Sequence, residues 1–140
     1  MNRMIKKSLL IWLAIIPLAI LNGGLREIVF NPLIGERYAQ PLSGVLLCII
    51  LFVVCWFCIP RIGRGTCAER SRSTAKTYWI IGIWWVILTV LFETCFGLLT
   101  GDTLAELIRA YDITTGNLWL LVILCTGIAP WLTAKTRKLI

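Results

Sequence analysis

The chain has no histidine among its 140 residues. That absence removes several chemistries together: imidazole-ligated zinc or haem, a histidine general base, and any serine–histidine triad. Charge is scarce as well. Charged residues make up 15% of the chain, against roughly 25% in soluble domains, and the acidic ones number only 7. Acid–base chemistry could fall only to Glu27, Glu93 and Asp112. No glycine-rich phosphate loop is present either, since Gly63-Arg64-Gly65 lacks the Lys-Ser/Thr that would complete one. No residue is assigned a catalytic role, and these absences favour a non-enzymatic protein.

Cysteine is present but badly placed for chemistry. Cys48, Cys55, Cys58, Cys95 and Cys125 fall inside long apolar stretches and Cys67 in a basic loop. No pair of thiols is offered to an oxidising compartment, so structural disulfides are not expected. Cys55-Trp56-Phe57-Cys58 has redox or metal spacing. It lies at the C-terminal end of a helical stretch, however, where the helix dipole disfavours a thiolate. The two cysteines read as small apolar residues, and neither a metal nor a cofactor is expected.

What the chain has in abundance is apolar surface: 59% hydrophobic residues and a mean hydropathy of +0.85. A core of this size cannot enclose so much of it, so lipid must solvate the remainder. Four stretches approach or exceed the roughly 20 residues that cross a bilayer. They run from about Ser8 to Glu27, Leu42 to Ile59, Tyr78 to Leu98, and Leu118 to Ala134. The expected fold is all-α, a single membrane domain over 1–140 built as a four-helix bundle. Turn signals separate the spans at Asn31-Pro32 through Pro41, at Pro60 through Gly65, at Gly101-Asp102 and at Gly116-Asn117. Arg3, Lys6 and Lys7 ahead of an apolar run also fit a signal peptide, but Leu21-Asn22-Gly23-Gly24 is a poor cleavage site. The first helix is therefore read as retained.

Orientation follows from the basic residues. Arg3, Lys6 and Lys7, then Arg61, Arg64, Arg70, Arg72 and Lys76, then Lys135, Arg137 and Lys138 all fall on one side, 11 of the 14. Only Arg26, Arg37 and Arg109 remain for the other. The termini and the central loop are expected in the cytoplasm, with Tyr78, Trp79 and Trp131 near the inner interface and Tyr38, Tyr111 and Trp119 near the outer one. Basic residues that flank spans rather than form a patch point to anionic lipid, not nucleic acid.

The first outer loop, Phe30 to Pro41, is expected to fold back over the bundle. In the second, Thr103-Leu104-Ala105-Glu106 is a capping box. Leu104, Leu107, Ile108 and Tyr111 follow at helical spacing, which predicts a short amphipathic helix on the outer membrane surface.

Ionisable groups within a span call for a partner or a purpose. Asn22 and Arg26 are four apart and share a face, with Glu27 on the adjoining one; Thr89, Glu93 and Gly97 form a similar row in the third span. Rise per residue puts Arg26 and Glu93 at comparable depth in the outer third, so the spacing predicts a salt bridge between them. Asp112 and Asn117 are candidate contributors from the outer loop. This cluster of Asn22, Arg26, Glu27, Thr89 and Glu93 is either a register-fixing structural element or the lining of a ligand site. Gly23, Gly24, Gly44, Gly82, Gly97 and Gly127 read as close-packing positions between helices.

Leu21-Asn22-Gly23-Gly24-Leu25-Arg26-Glu27, followed by Pro32, Gly35, Ala39 and Ser43, resembles a family of small four-span bacterial membrane proteins. Leu88 through Glu93 with Gly97, then Tyr111-Asp112 with Gly116, extends the resemblance over nearly the whole chain. It implies the bacterial inner (cytoplasmic) membrane and supplies no activity. The function expected is transport or sensing of a small solute or ion through the outer-facing polar cluster. The alternative is a non-catalytic accessory or assembly subunit. Membrane lipids are the expected partners, and the apolar outer faces admit a second copy or another membrane protein.

Overall fold

The computed structural model describes residues 3–63, 74–115 and 118–140. It is all-α, with no strand among the described residues. Four helices are long and apolar enough to cross a membrane. α1 spans Arg3–Leu25 and continues through a π-helical turn, Arg26–Phe30, into the short α2, Asn31–Ile34. α3 spans Glu36–Gly63, α4 Ala75–Thr100, α5 Leu104–Arg109 and α6 Trp119–Thr136. Arg64, Cys67, Arg70, Arg72, Gly116 and Asn117 lie outside the described residues.

The outer connection between the first two spans differs from the expected folded-back loop. Helix continues to Ile34, one residue breaks it, and helix resumes at Glu36. That residue is Gly35, whose φ of 82° is open to glycine and strained for other side chains. Pro32 falls at the start of α2, where its missing N–H is not needed. Pro41 and Pro60, expected to mark turns, both sit inside α3. Pro41 interrupts only the second turn, where one lost hydrogen bond leaves most of the helix intact. At the far end of α4, Gly101 adopts φ +100° while Asp102 N–H and Gly101 N–H bond back to Gly97 and Leu98. This is a Schellman cap.

The bundle is not uniformly packed. α4 and α6 make the most extensive contact, α3 and α6 the next, then α1 and α3; α1 meets α4 only sparsely. The α4–α6 contact is close because a Cβ at Gly82 would collide with the Gly127 carbonyl oxygen. Around it lie Tyr78, Ile81, Trp85, Cys55, Ile59 and Ala129, all fully buried. These fill the half of the bundle carrying the chain's basic flanks. Tyr78 is therefore a core residue rather than an interfacial one, at 0% exposure. The interfacial role falls to Trp79 stacked on Trp131 at 5.5 Å, with Lys135 over Trp131 and Arg137 over Trp56. Cys48, Cys55, Cys58, Cys95 and Cys125 are free thiols.

The opposite half is hollow. Gly23 and Gly24, expected as packing positions, have nothing within 4 Å of an added Cβ. Gly97 does bring elements together, since a Cβ there would strike Leu107 of α5. The short helix is thereby laid across the open end.

Candidate functional site

A cavity of about 660 Å³ occupies this end of the bundle, among α1, α3, α4, α6 and the overlying α5. Its size is within the roughly 300–1,000 Å³ typical of small-molecule sites. Asn22, Arg26 and Glu93 of the sequence-predicted cluster line it. Thr89 lies below, on a narrow apolar crevice of about 40 Å³ in which Glu93 also takes part. Glu93 thus stands where the polar chamber meets the crevice.

Arg26 and Glu93 face the same cavity, but the expected salt bridge is not formed. The Arg26 guanidinium donates instead to Glu27 Oε1, at 3.0 Å from Nη2 and 3.2 Å from Nε. Asn31 donates to the other Glu27 oxygen at 3.0 Å. With side chains 33% and 60% exposed, this pair keeps its hydration, whereas reaching Glu93 would require desolvating both charges. A pair so exposed contributes at most about 1 kcal/mol. Among the described residues, no hydrogen bond or ion pair reaches the Glu93 carboxylate; Arg26 acts on it only through its field.

Asn22 is the best-held polar group of the site. Its side-chain nitrogen donates to the Ser43 carbonyl at 3.0 Å and to Ser43 Oγ at 2.9 Å, tying α1 to α3. Because a backbone carbonyl can only accept, these partners fix which end of the amide is nitrogen. The oxygen, Oδ1, then points elsewhere. It is buried and has no partner among the described residues, a state that costs about 1–3 kcal/mol unless a donor is supplied.

Thr89 Oγ1 accepts from Trp12 Nε1 at 3.0 Å, and Trp12 meets Phe92 edge-on. These contacts bridge the sparse α1–α4 seam. Asp112 is turned to its own loop, accepting from Thr114 N–H and Oγ1 at 3.0 and 2.6 Å; it does not line the cavity. Glu27 is likewise outside it, and Asn117 is not among the described residues.

Residues not anticipated as site members complete the wall. Asp102 and Glu106 add carboxylates, Gln40 and Ser43 add neutral polar groups, and Tyr111, Trp119, Phe92 and Phe96 add rings. Asp102 closes the Schellman cap through its N–H. Glu106 belongs to the capping box, which forms as expected: Thr103 N–H donates to Glu106 Oε2 at 2.7 Å, and Glu106 N–H to Thr103 Oγ1 at 3.3 Å. Hydrogen bonds from the Thr103 backbone and hydroxyl hold the Glu106 carboxyl below its ordinary range, so it is charged at neutral pH. Tyr111 and Trp119, expected at the outer lipid interface, turn inward to the cavity. Tyr111 shares the helical spacing that revealed α5, and Trp119 was placed by its position at a span end; neither signal says what the residue covers.

Among the described residues, three carboxylates, Glu93, Asp102 and Glu106, line one cavity, against one guanidinium, that of Arg26, which already has a partner. The arrangement can hold a solute carrying positive charge and hydrogen-bond donors. No family model, curated protein or solved structure matches this chain.

Proposed function

We propose that the protein is a multi-pass component of a bacterial inner membrane, with both termini cytoplasmic, that moves or senses a small solute through its outer-facing polar cavity. The observation carrying this reading is the position of Glu93. It is a membrane-depth carboxylate without a direct partner among the described residues, on the wall of a cavity large enough for a small molecule. A carboxylate retained at such depth without an ion pair is costly to the fold, and solute binding is the purpose that accounts for it. The sided distribution of Lys and Arg supports the orientation, and the motif resemblance supports the bacterial membrane.

Gly24→Leu tests this reading. A Cβ added at Gly24 has no neighbour within 4 Å and the residue lines the cavity, and removing a helical glycine favours the helix by up to about 1 kcal/mol. Purified protein, screened by thermal shift against small cations, anions and neutral solutes, is expected to be stabilised by at least one class. Gly24→Leu should fold at least as well and lose that response. A protein indifferent to every class, and unchanged by Gly24→Leu, would instead fit an assembly subunit.

A further inference from the structure

The identity of the unsatisfied groups narrows the solute. Glu93, Asp102 and Glu106 give the cavity an acidic excess, in a chain whose overall charge is +7. A cation is favoured there, and the rings of Phe92, Phe96, Tyr111 and Trp119 on the same wall suit one. Charge alone would admit a metal ion or a quaternary ammonium. Asn22 discriminates among these. It is 6% exposed, lines the cavity, and keeps an acceptor oxygen that no described residue satisfies while its nitrogen is committed to Ser43. Such an oxygen calls for an N–H or O–H donor or a hard metal ion; a quaternary ammonium is neither, and the described residues hold no group of three Asp, Glu or Cys close enough to bind a metal. Below Glu93, the crevice is walled by apolar side chains including Trp12, Leu47, Leu51 and Val122. Its two threonine hydroxyls are already engaged, Thr89 by Trp12 and Thr126 by the Val122 carbonyl. Apart from Glu93 at its mouth and the Thr89 hydroxyl, the described lining of the crevice offers a second polar group little.

Building on the solute-cavity reading above, we propose that the ligand is a protonated primary amine bearing a short apolar tail. Its ammonium group lies on the Glu93 carboxylate against the aromatic wall, Asn22 turns its buried Oδ1, unpartnered among the described residues, to meet it, and its tail enters the crevice between α1 and α4. Charge, donor capacity and tail are each required by a different feature of the site.

Four probes sharing one tail separate these requirements: n-butylammonium, butyltrimethylammonium, n-butanol and butyrate. Binding to the full chain in phosphatidylcholine nanodiscs is read by tryptophan fluorescence, corrected with empty nanodiscs, since Trp12 and Trp119 border the site. Butylammonium is expected to bind at least about tenfold more tightly than each of the others, the span of one charge-assisted hydrogen bond. Butyltrimethylammonium binding equally well would overturn the role of Asn22 and the amine assignment with it. Equal binding of butanol, or tighter binding of butyrate, would overturn the cation while leaving a solute cavity in place. If no probe binds and Gly24→Leu alters nothing, the amine and the solute-cavity reading both fall.

Discussion

Gly82→Val is expected to be the most damaging single change in the bundle. The Gly82 backbone lies so close to the Gly127 carbonyl that even a Cβ has no room, and the obstacle is backbone rather than a flexible side-chain tip. α4 and α6 must then separate along their whole interface, the most extensive in the molecule. Overpacking typically costs about 1–3 kcal/mol, and rigid backbone on the opposing side places this case at the upper end. In lipid, where helix association depends on packing rather than on water exclusion, such a loss is hard to offset. Thermal denaturation in one detergent should show a melting temperature well below that of the unaltered chain, or aggregation during purification. Gly24→Ala, a chemically similar change, should be neutral or stabilising. If the two glycines responded alike, the assignment of one half of the bundle as packed and the other as hollow would be wrong.

Glu93→Gln is expected to act in opposite directions on stability and on binding. An Arg26–Glu93 salt bridge, as helical spacing and depth suggest, would make loss of the carboxylate destabilising, because an unpaired buried cation would remain. The geometry reverses that sign. Arg26 already has Glu27, and Glu93 has no ion-pair partner among the described residues. Neutralising it relieves a charge held partly out of water, and stability should rise by about 1 kcal/mol, discounted from the insertion penalty because the group lines an open cavity. Butylammonium affinity should fall by about tenfold or more. A gain in stability joined to a loss of binding is the trade-off expected of a residue kept for function. Thermal shift combined with fluorescence titration on the same sample measures both. A large loss of stability would return Glu93 to a structural role.

How legible this arrangement was depended on the kind of signal each feature carries. The four spans follow from hydrophobic length, which depends on composition rather than detail, and the α5 capping box follows from local hydrogen bonding between Thr103 and Glu106. The connection at Gly35 departs from the expected loop: Pro32, Gly35 and Pro41 resemble loop punctuation in sequence, whereas a proline near a helix start is tolerated and only Gly35 breaks the helix. Glycines were the clearest ambiguity. Gly82 and Gly24 are the same residue in similar apolar surroundings, yet one permits contact and the other leaves space. Which occurs depends on the neighbouring helix, and no single helix's sequence records it. The site was half visible for the same reason. Spacing put Asn22 and Arg26 on one face and depth brought Glu93 level with them, and all three do share the cavity. Spacing could not choose between Glu27 and Glu93 as the partner of Arg26. That choice rests on hydration and on the π-helical turn at Arg26–Phe30, a local insertion of the kind often found near functional sites.

The most direct test of the account is the wetness and sidedness of position 93. In a background with all six cysteines replaced, Glu93→Cys is exposed in intact cells to a charged, membrane-impermeant methanethiosulfonate reagent. The account predicts labelling from outside, slowed when Gly24→Leu is added to fill the cavity. An introduced thiol that labels only after the membrane is opened, or only after the protein is unfolded, would contradict the outward-facing solute cavity on which the proposed function rests.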